Sequence, residues 1–184
     1  MRRSICHCEP NVALAGDIGH WKFIYTTANH LPKGTKLRFD LDSHGSDLDW
    51  QRPQTNLKKK ENLIWAEVDG KVFSATEVEL PQKKTVSYEF TLPTEVTPGD
   101  SFTIHLGSAE RSASPKGNGC QKMVQRKRPF NLFIDPKGKG DYKDPEIFHI
   151  DVRGNELHRL NVVAPSLVSR NKRFDVIVRF EDIY

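Results

Sequence analysis

Apolar side chains recur at every second position along most of this chain, and no stretch carries a helical period over ten or more residues. The clearest runs are Trp21/Phe23/Tyr25, Leu37/Phe39/Leu41, Val86/Tyr88/Phe90/Leu92, Phe102/Ile104/Leu106 and Phe174/Val176/Val178/Phe180. Strand side chains alternate between two faces, so each run turns one apolar face inward and one polar face outward. Pro or Gly punctuates the pattern at intervals of about ten residues, the spacing of an all-β sandwich. The expected fold is therefore an all-β, immunoglobulin-like antiparallel β-sandwich with long loop insertions. Trp21, Phe23 and Phe39 are large enough to seed its core.

The 184 residues can bury such a core without disulfide support. Asn11 to Leu14 reads as a short lead-in strand, and Leu63 to Val68 as a full one. Asp69-Gly70 is a strong hairpin signal that returns the chain from Lys71 to Val78. Ile147 to Val152 is expected to pair across Gly154-Asn155 with Leu157 to Val163. Two insertions, 43–61 and 107–128, exceed what a compact domain needs and are the expected docking loops. The sandwich is assigned to 1–165. Residues 166–184 read as the start of a second β domain beyond Pro165, or as a strand folding back on the first.

Composition narrows the function classes. The net charge of +4 is modest and its Lys and Arg are interspersed with acids, which disfavours nucleic-acid and membrane-surface binding. No apolar run approaches the ~18 residues of a membrane span. The opening Met-Arg-Arg lacks the apolar stretch of a secretory signal. Three cysteines, Cys6, Cys8 and Cys120, make a poor disulfide framework and suggest a reducing, cytoplasmic compartment. Cys6-His7-Cys8 lacks the second pair that a structural zinc site needs.

Several segments resemble the front of an uncharacterised bacterial family. They are Ala15-Gly16-Asp17 leading into Trp21 to Thr26, Leu31-Pro32-Lys33-Gly34-Thr35, Tyr88 to Pro93, Phe130 to Pro136, and Pro165 to Asp175. Members of that family resemble a β-sandwich followed by a PHP-type, metal-dependent phosphoesterase-like domain. The resemblance implies that this chain is the N-terminal part of such a protein, without its metal-binding half. A PHP-type centre needs a His-X-His pair with further His and Asp ligands. The seven histidines here include no His-X-His, so no catalytic residue carries over.

Three constellations remain. Asp40, Asp42, Asp47 and Asp49 imitate the front of a calcium loop, although His44 and Gln51 stand where oxygen ligands belong. Arg126-Lys127-Arg128, with Lys116 and Lys122, is the densest basic segment and could meet phosphates, or could simply approach a strand. Trp50 sits in a polar loop, as either an exposed sugar-stacking platform or a ring folded over the sandwich end. Gly-X-Ser-X-Gly is absent, and Cys120 has no histidine near it in sequence. The expectation is a non-catalytic interaction module that needs no cofactor and docks on a downstream domain or a protein partner. The alternative is a stand-alone, carbohydrate-binding-like module that uses the 43–61 loop.

Overall fold

In the computed structural model, which describes residues 3–59, 61–80, 84–107 and 117–184, two β-sheets face each other across one aromatic-rich core. The five-stranded sheet runs in the order β1 (Ile5–Glu9), β4 (Trp21–Thr26), β10 (Ser101–Gly107), β6 (Leu63–Val68) and β7 (Lys71–Ser74), all antiparallel. The six-stranded sheet runs β2 (Val12–Leu14), β13 (Glu146–Arg153), β12 (Gln125–Asp135), β5 (Lys36–Asp40), β9 (Thr85–Thr91) and β8 (Thr76–Leu80). Its β2–β13 pair is parallel, a departure from the antiparallel expectation. Only Pro10 and Asn11 separate β1 from β2, and that short link carries the chain from the edge of one sheet to the edge of the other. A small pair, β3 (Ile18–Gly19) with β11 (Asn118–Gly119), closes one end. No helix among the described residues is long and apolar enough to cross a membrane.

Alternation becomes burial almost residue by residue. In β4, Trp21, Phe23 and Tyr25 are buried while Lys22, Ile24 and Thr26 are only partly so. Phe23 lies at the centre, with ring centroids 4.8 Å from Phe39, 4.9 Å from Phe130 and 5.5 Å from Phe148. These tilted and edge-on geometries suit aromatic quadrupoles, and each fully buried Phe contributes about 1.5–3 kcal/mol through burial alone. The Asp69-Gly70 turn joins β6 to β7 as expected, with both residues at positive φ (49° and 72°).

Two pairings differ from the sequence reading. The return strand expected over Lys71 to Val78 breaks at buried Ala75: β7 stays in the first sheet, while β8 crosses to the second and pairs with β9. One continuous segment thus links the edges of the two sheets. The hairpin expected between 147–152 and 157–163 does not form. β13 is already flanked by β12 and β2, so β14 (Arg159–Val163) has no free edge there and pairs instead with β15 (Ile177–Glu181).

Candidate functional site

The two long insertions meet at one end of the sandwich. The Gln51 amide donates to the Gly119 carbonyl (2.9 Å) and Lys122 N to Leu48 O (3.0 Å), while Asn118 Nδ2 donates to Gln51 O (2.9 Å). Cys120 N donates to Asp17 O (2.7 Å) and Gly16 N to Gln121 O (3.0 Å). These bonds tie the described parts of both insertions to each other and to the turn after β2. Residues 108–116, with Lys116, lie outside the described residues, as does Lys60.

Trp50 is the plug of this end. It is 0% exposed, with its ring 4.8 Å from Trp21 and 4.9 Å from Phe130, both edge-on. Ser43 Oγ donates to the Trp50 carbonyl at 2.6 Å, fixing the loop that delivers the indole. The exposed sugar-stacking platform is therefore corrected. A large apolar ring beside an open sandwich end gains more from burial against Trp21 and Phe130 than from solvent.

Of the aspartates and the basic run, the fold brings Arg128 close to Asp40, Asp42 and Asp49 and leaves Asp47, Arg126 and Lys127 in solvent. Arg128 is buried, and it is the same alternation that faces Phe130 and Leu132 inward that also faces Arg128 inward. Its Nε donates to Gln121 Oε1 (2.8 Å), and its guanidinium also donates to the carbonyls of Leu41, Asp42 (3.3 Å) and Pro129 (3.0 Å). Burial pulls the Arg128 pKa down, opposed by the negative charges of Asp42, Asp49 and Asp40. Asp40 Oδ1 accepts the Asp42 amide (2.8 Å) and Asp49 Oδ2 accepts the His44 amide (2.9 Å). These two carboxylates brace loop backbone and, with that of Asp42, place negative charge near Arg128, while Asp47 stays out in solvent. Among the described residues no group of three or more His, Cys, Asp or Glu side chains is placed to hold a metal ion. A bulge between Gln125 and Arg128, with Lys127 at φ 51°, leaves Arg126 and Lys127 exposed, so the three cations do not form one patch. Lys127 N is held by Asp151 Oδ1 at 2.8 Å. Arg128 could have been found from sequence, because it lies two residues before Phe130 on a period-two strand.

Burial pushes the Cys6, Cys8 and Cys120 thiols each up to about 12, which leaves them as packing groups rather than nucleophiles. On the outer face of the five-stranded sheet Trp65 stacks on His105 (3.8 Å, 2°), and His105 Nε2 lies 3.1 Å from Glu67 Oε1. The register places these side chains on neighbouring strands, so the contact is a cross-strand brace.

The outer face of the other sheet carries Arg38, Glu89 and Tyr142. Arg38 donates to Glu89 Oε1 through Nε (3.1 Å) and Nη2 (2.7 Å), its guanidinium lies 4.0 Å over the Tyr142 ring, and Tyr142 Oη donates to the same carboxylate (3.0 Å). Burial raises the Glu89 pKa, but hydrogen bonds from Arg38 and Tyr142, with the charges of Arg38 and Lys36, more than offset it, so the pKa is lowered. A depressed folded-state pKa contributes stability above the unfolded value, about 4.3, that is lost as pH falls through the folded one. Glu89→Gln is therefore expected to lower the melting temperature at pH 7 but much less at pH 3. An equal deficit at both pH values, measured by thermal unfolding, would remove the carboxylate from the acid response.

A further open concavity lies at the foot of the β14–β15 ribbon. It is a cleft of about 700 Å³ between the end of β13 and the root of the β14–β15 ribbon. Val124, Leu157, Phe180, Ile183 and Tyr184 line it, and each is more than half exposed. The root itself is fixed. Asn155 Nδ2 donates to Ala15 O (2.9 Å) and Asp17 Oδ1 (2.8 Å), and Asn155 N donates to Asp182 Oδ2 (3.0 Å). Tyr184 lies against Gly16, where a Cβ would come within 2.3 Å of its ring; that residue is also at φ 75°.

The chain is 44% identical over 185 residues to an uncharacterised protein of Chlamydia pneumoniae. It is 46% identical over 185 residues to uncharacterised proteins of Chlamydia muridarum and Chlamydia trachomatis. Each alignment takes in 99% of this chain, and the chain spans 30% of the length of these curated relatives. No family model matches the chain.

Proposed function

We propose that this chain is a non-catalytic β-sandwich module that works as part of a longer polypeptide. The observation that carries the reading is the use to which the chemistry-bearing side chains are put. Trp50 fills the core, Arg128 is buried on Gln121 and the Leu41 carbonyl with Asp40, Asp42 and Asp49 nearby, and the three thiols are held protonated. A module that draws Trp50, Arg128 and its thiols into its own fold is suited to presenting surfaces rather than to turnover. The 30% span on each relative supports membership of a longer polypeptide.

In its finer form the proposal makes the chain the front module of a PHP-type, metal-dependent hydrolase-like protein, on the resemblance of its strand-and-turn segments. Its partner would be the hydrolase-like domain of the same polypeptide, and its compartment a reducing, cytoplasmic one, which the free thiols of Cys6, Cys8 and Cys120 suit. The test is a phosphomonoester and phosphodiester panel assayed on the purified chain with magnesium, manganese or zinc. The expected result is no hydrolysis above the metal-only control. Metal-dependent turnover that a chelator abolishes would overturn the reading.

A further inference from the structure

β14 and β15 form an amphipathic ribbon whose apolar face is uncovered. The register sets Leu160 opposite Phe180 and Val162 opposite Val178 on one face. The other face is mostly polar, with Arg159 opposite Glu181, ion-paired at 2.7 Å, and Asn161 opposite Arg179, and it ends in one apolar pair, Val163 opposite Ile177. Cross-strand pairing of like with like is what a sheet does when one face is to be buried. Yet Leu160, Val162, Val178 and Phe180 are between 49% and 72% exposed. Phe180 also enters the cleft, so the apolar face and the lining formed by Val124, Leu157, Ile183 and Tyr184 are continuous. Two strands with an open apolar face and free edges are marginal in water and need a third strand or a covering layer.

We propose that this face and the cleft at its root are the docking surface for another stretch of the same longer polypeptide. The occupant is a β-structured segment that adds strands to the ribbon and lays aliphatic or aromatic side chains over Leu160, Val162, Val178 and Phe180. The inference rests on the reading of the chain as a module of a longer polypeptide. Magnitudes favour an occupant in the same polypeptide over a separate molecule. Five residues at ~3.3 Å each, across two strands ~4.8 Å apart, give a face on the order of 200 Å². A stable complex between separate molecules needs roughly 800 Å² per partner. A covalently linked segment is exempt from that requirement, because its effective concentration reaches the millimolar range. The relatives supply the polypeptide, since 70% of their length lies outside the match. The fixed root, through Asn155, Asp182 and Tyr184, sets the orientation in which the covering segment would be received.

Hydrogen–deuterium exchange on two proteins tests this: the 184-residue chain over a hundredfold range of concentration, and the full-length Chlamydia trachomatis relative. In the chain alone, amides of 159–163 and 177–181 should exchange at least roughly 100-fold faster than those of β12 and β13, at every concentration. In the full-length relative the aligned amides should be protected to the level of the sandwich. Three results overturn the proposal. They are a ribbon protected in the monomeric chain, a ribbon protected only as the chain dimerises (the occupant is then a second copy), and a ribbon unprotected in the full-length relative. Metal-dependent hydrolysis by the chain would remove the non-catalytic reading and leave these exchange results unaffected, so the two failures are distinguishable.

Discussion

Trp50→Ala is expected to destabilise the sandwich by roughly 3–5 kcal/mol, the range for truncating a fully buried large aromatic. For a domain of this size that is a fall of roughly 6–20 °C in melting temperature. The mechanism is local and specific. The indole is 0% exposed and touches Trp21 and Phe130 edge-on, so its loss opens a cavity where both insertions converge. Trp50→Phe keeps a ring against both neighbours and should recover more than half of the loss. Urea unfolding of the two variants checks the order. A melting temperature unchanged in Trp50→Ala would mean that the loop carries its indole in solvent, and would restore the binding-platform reading.

Arg128→Met should cost a similar amount, about 3–5 kcal/mol, for a different reason. Removing one side of a buried charge network leaves the remaining partners desolvated and uncompensated. Here those partners are the Leu41 and Asp42 carbonyls, Gln121 Oε1 and the buried carboxylate of Asp40, while the Asp49 side chain is half-buried and that of Asp42 faces solvent. Arg128→Lys retains the charge but cannot reproduce the planar fork that reaches Gln121 and Leu41 together, so it should rescue only partly. Adding Asp40→Asn to Arg128→Met should return part of the loss, with a coupling of about 0.5–3 kcal/mol. Strict additivity in that double-mutant cycle would separate the aspartates from the arginine. Because Arg128, Gln121 and Asp40 are buried, most of the Arg128→Met deficit should persist at 1 M salt, whereas an exposed pair would be screened.

Both predictions concern side chains that the sequence offers as binding candidates and the fold draws inward. Asp40, Asp42 and Asp49 carry the charge that would attract a cation, but Arg128 already answers it from within the fold. Such compensation is invisible to a reading that takes sequence neighbours together, because Arg128 lies 86 and 87 residues beyond the loop carbonyls it binds. The basic run is likewise divided by a bulge that turns Arg128 inward and leaves Arg126 and Lys127 outside.

The alternating pattern was sufficient for the fold class and for most strands, since a period of two leaves a residue only two faces to choose between. β4, β6, β9 and β10 appear where that pattern puts them, and Asp69-Gly70 dictates its own turn through positive φ. Tertiary structure alone decided which edges meet. Backbone hydrogen bonding is indifferent to side-chain identity, so nothing local to Ile147–Val152 announces that β12 and β2 will occupy both its edges and send β14 to β15. The same holds for the break at Ala75 and for the burial of Trp50. In each case the determining atoms come from strands far away in sequence, and the free energy of burial depends on whether those atoms arrive.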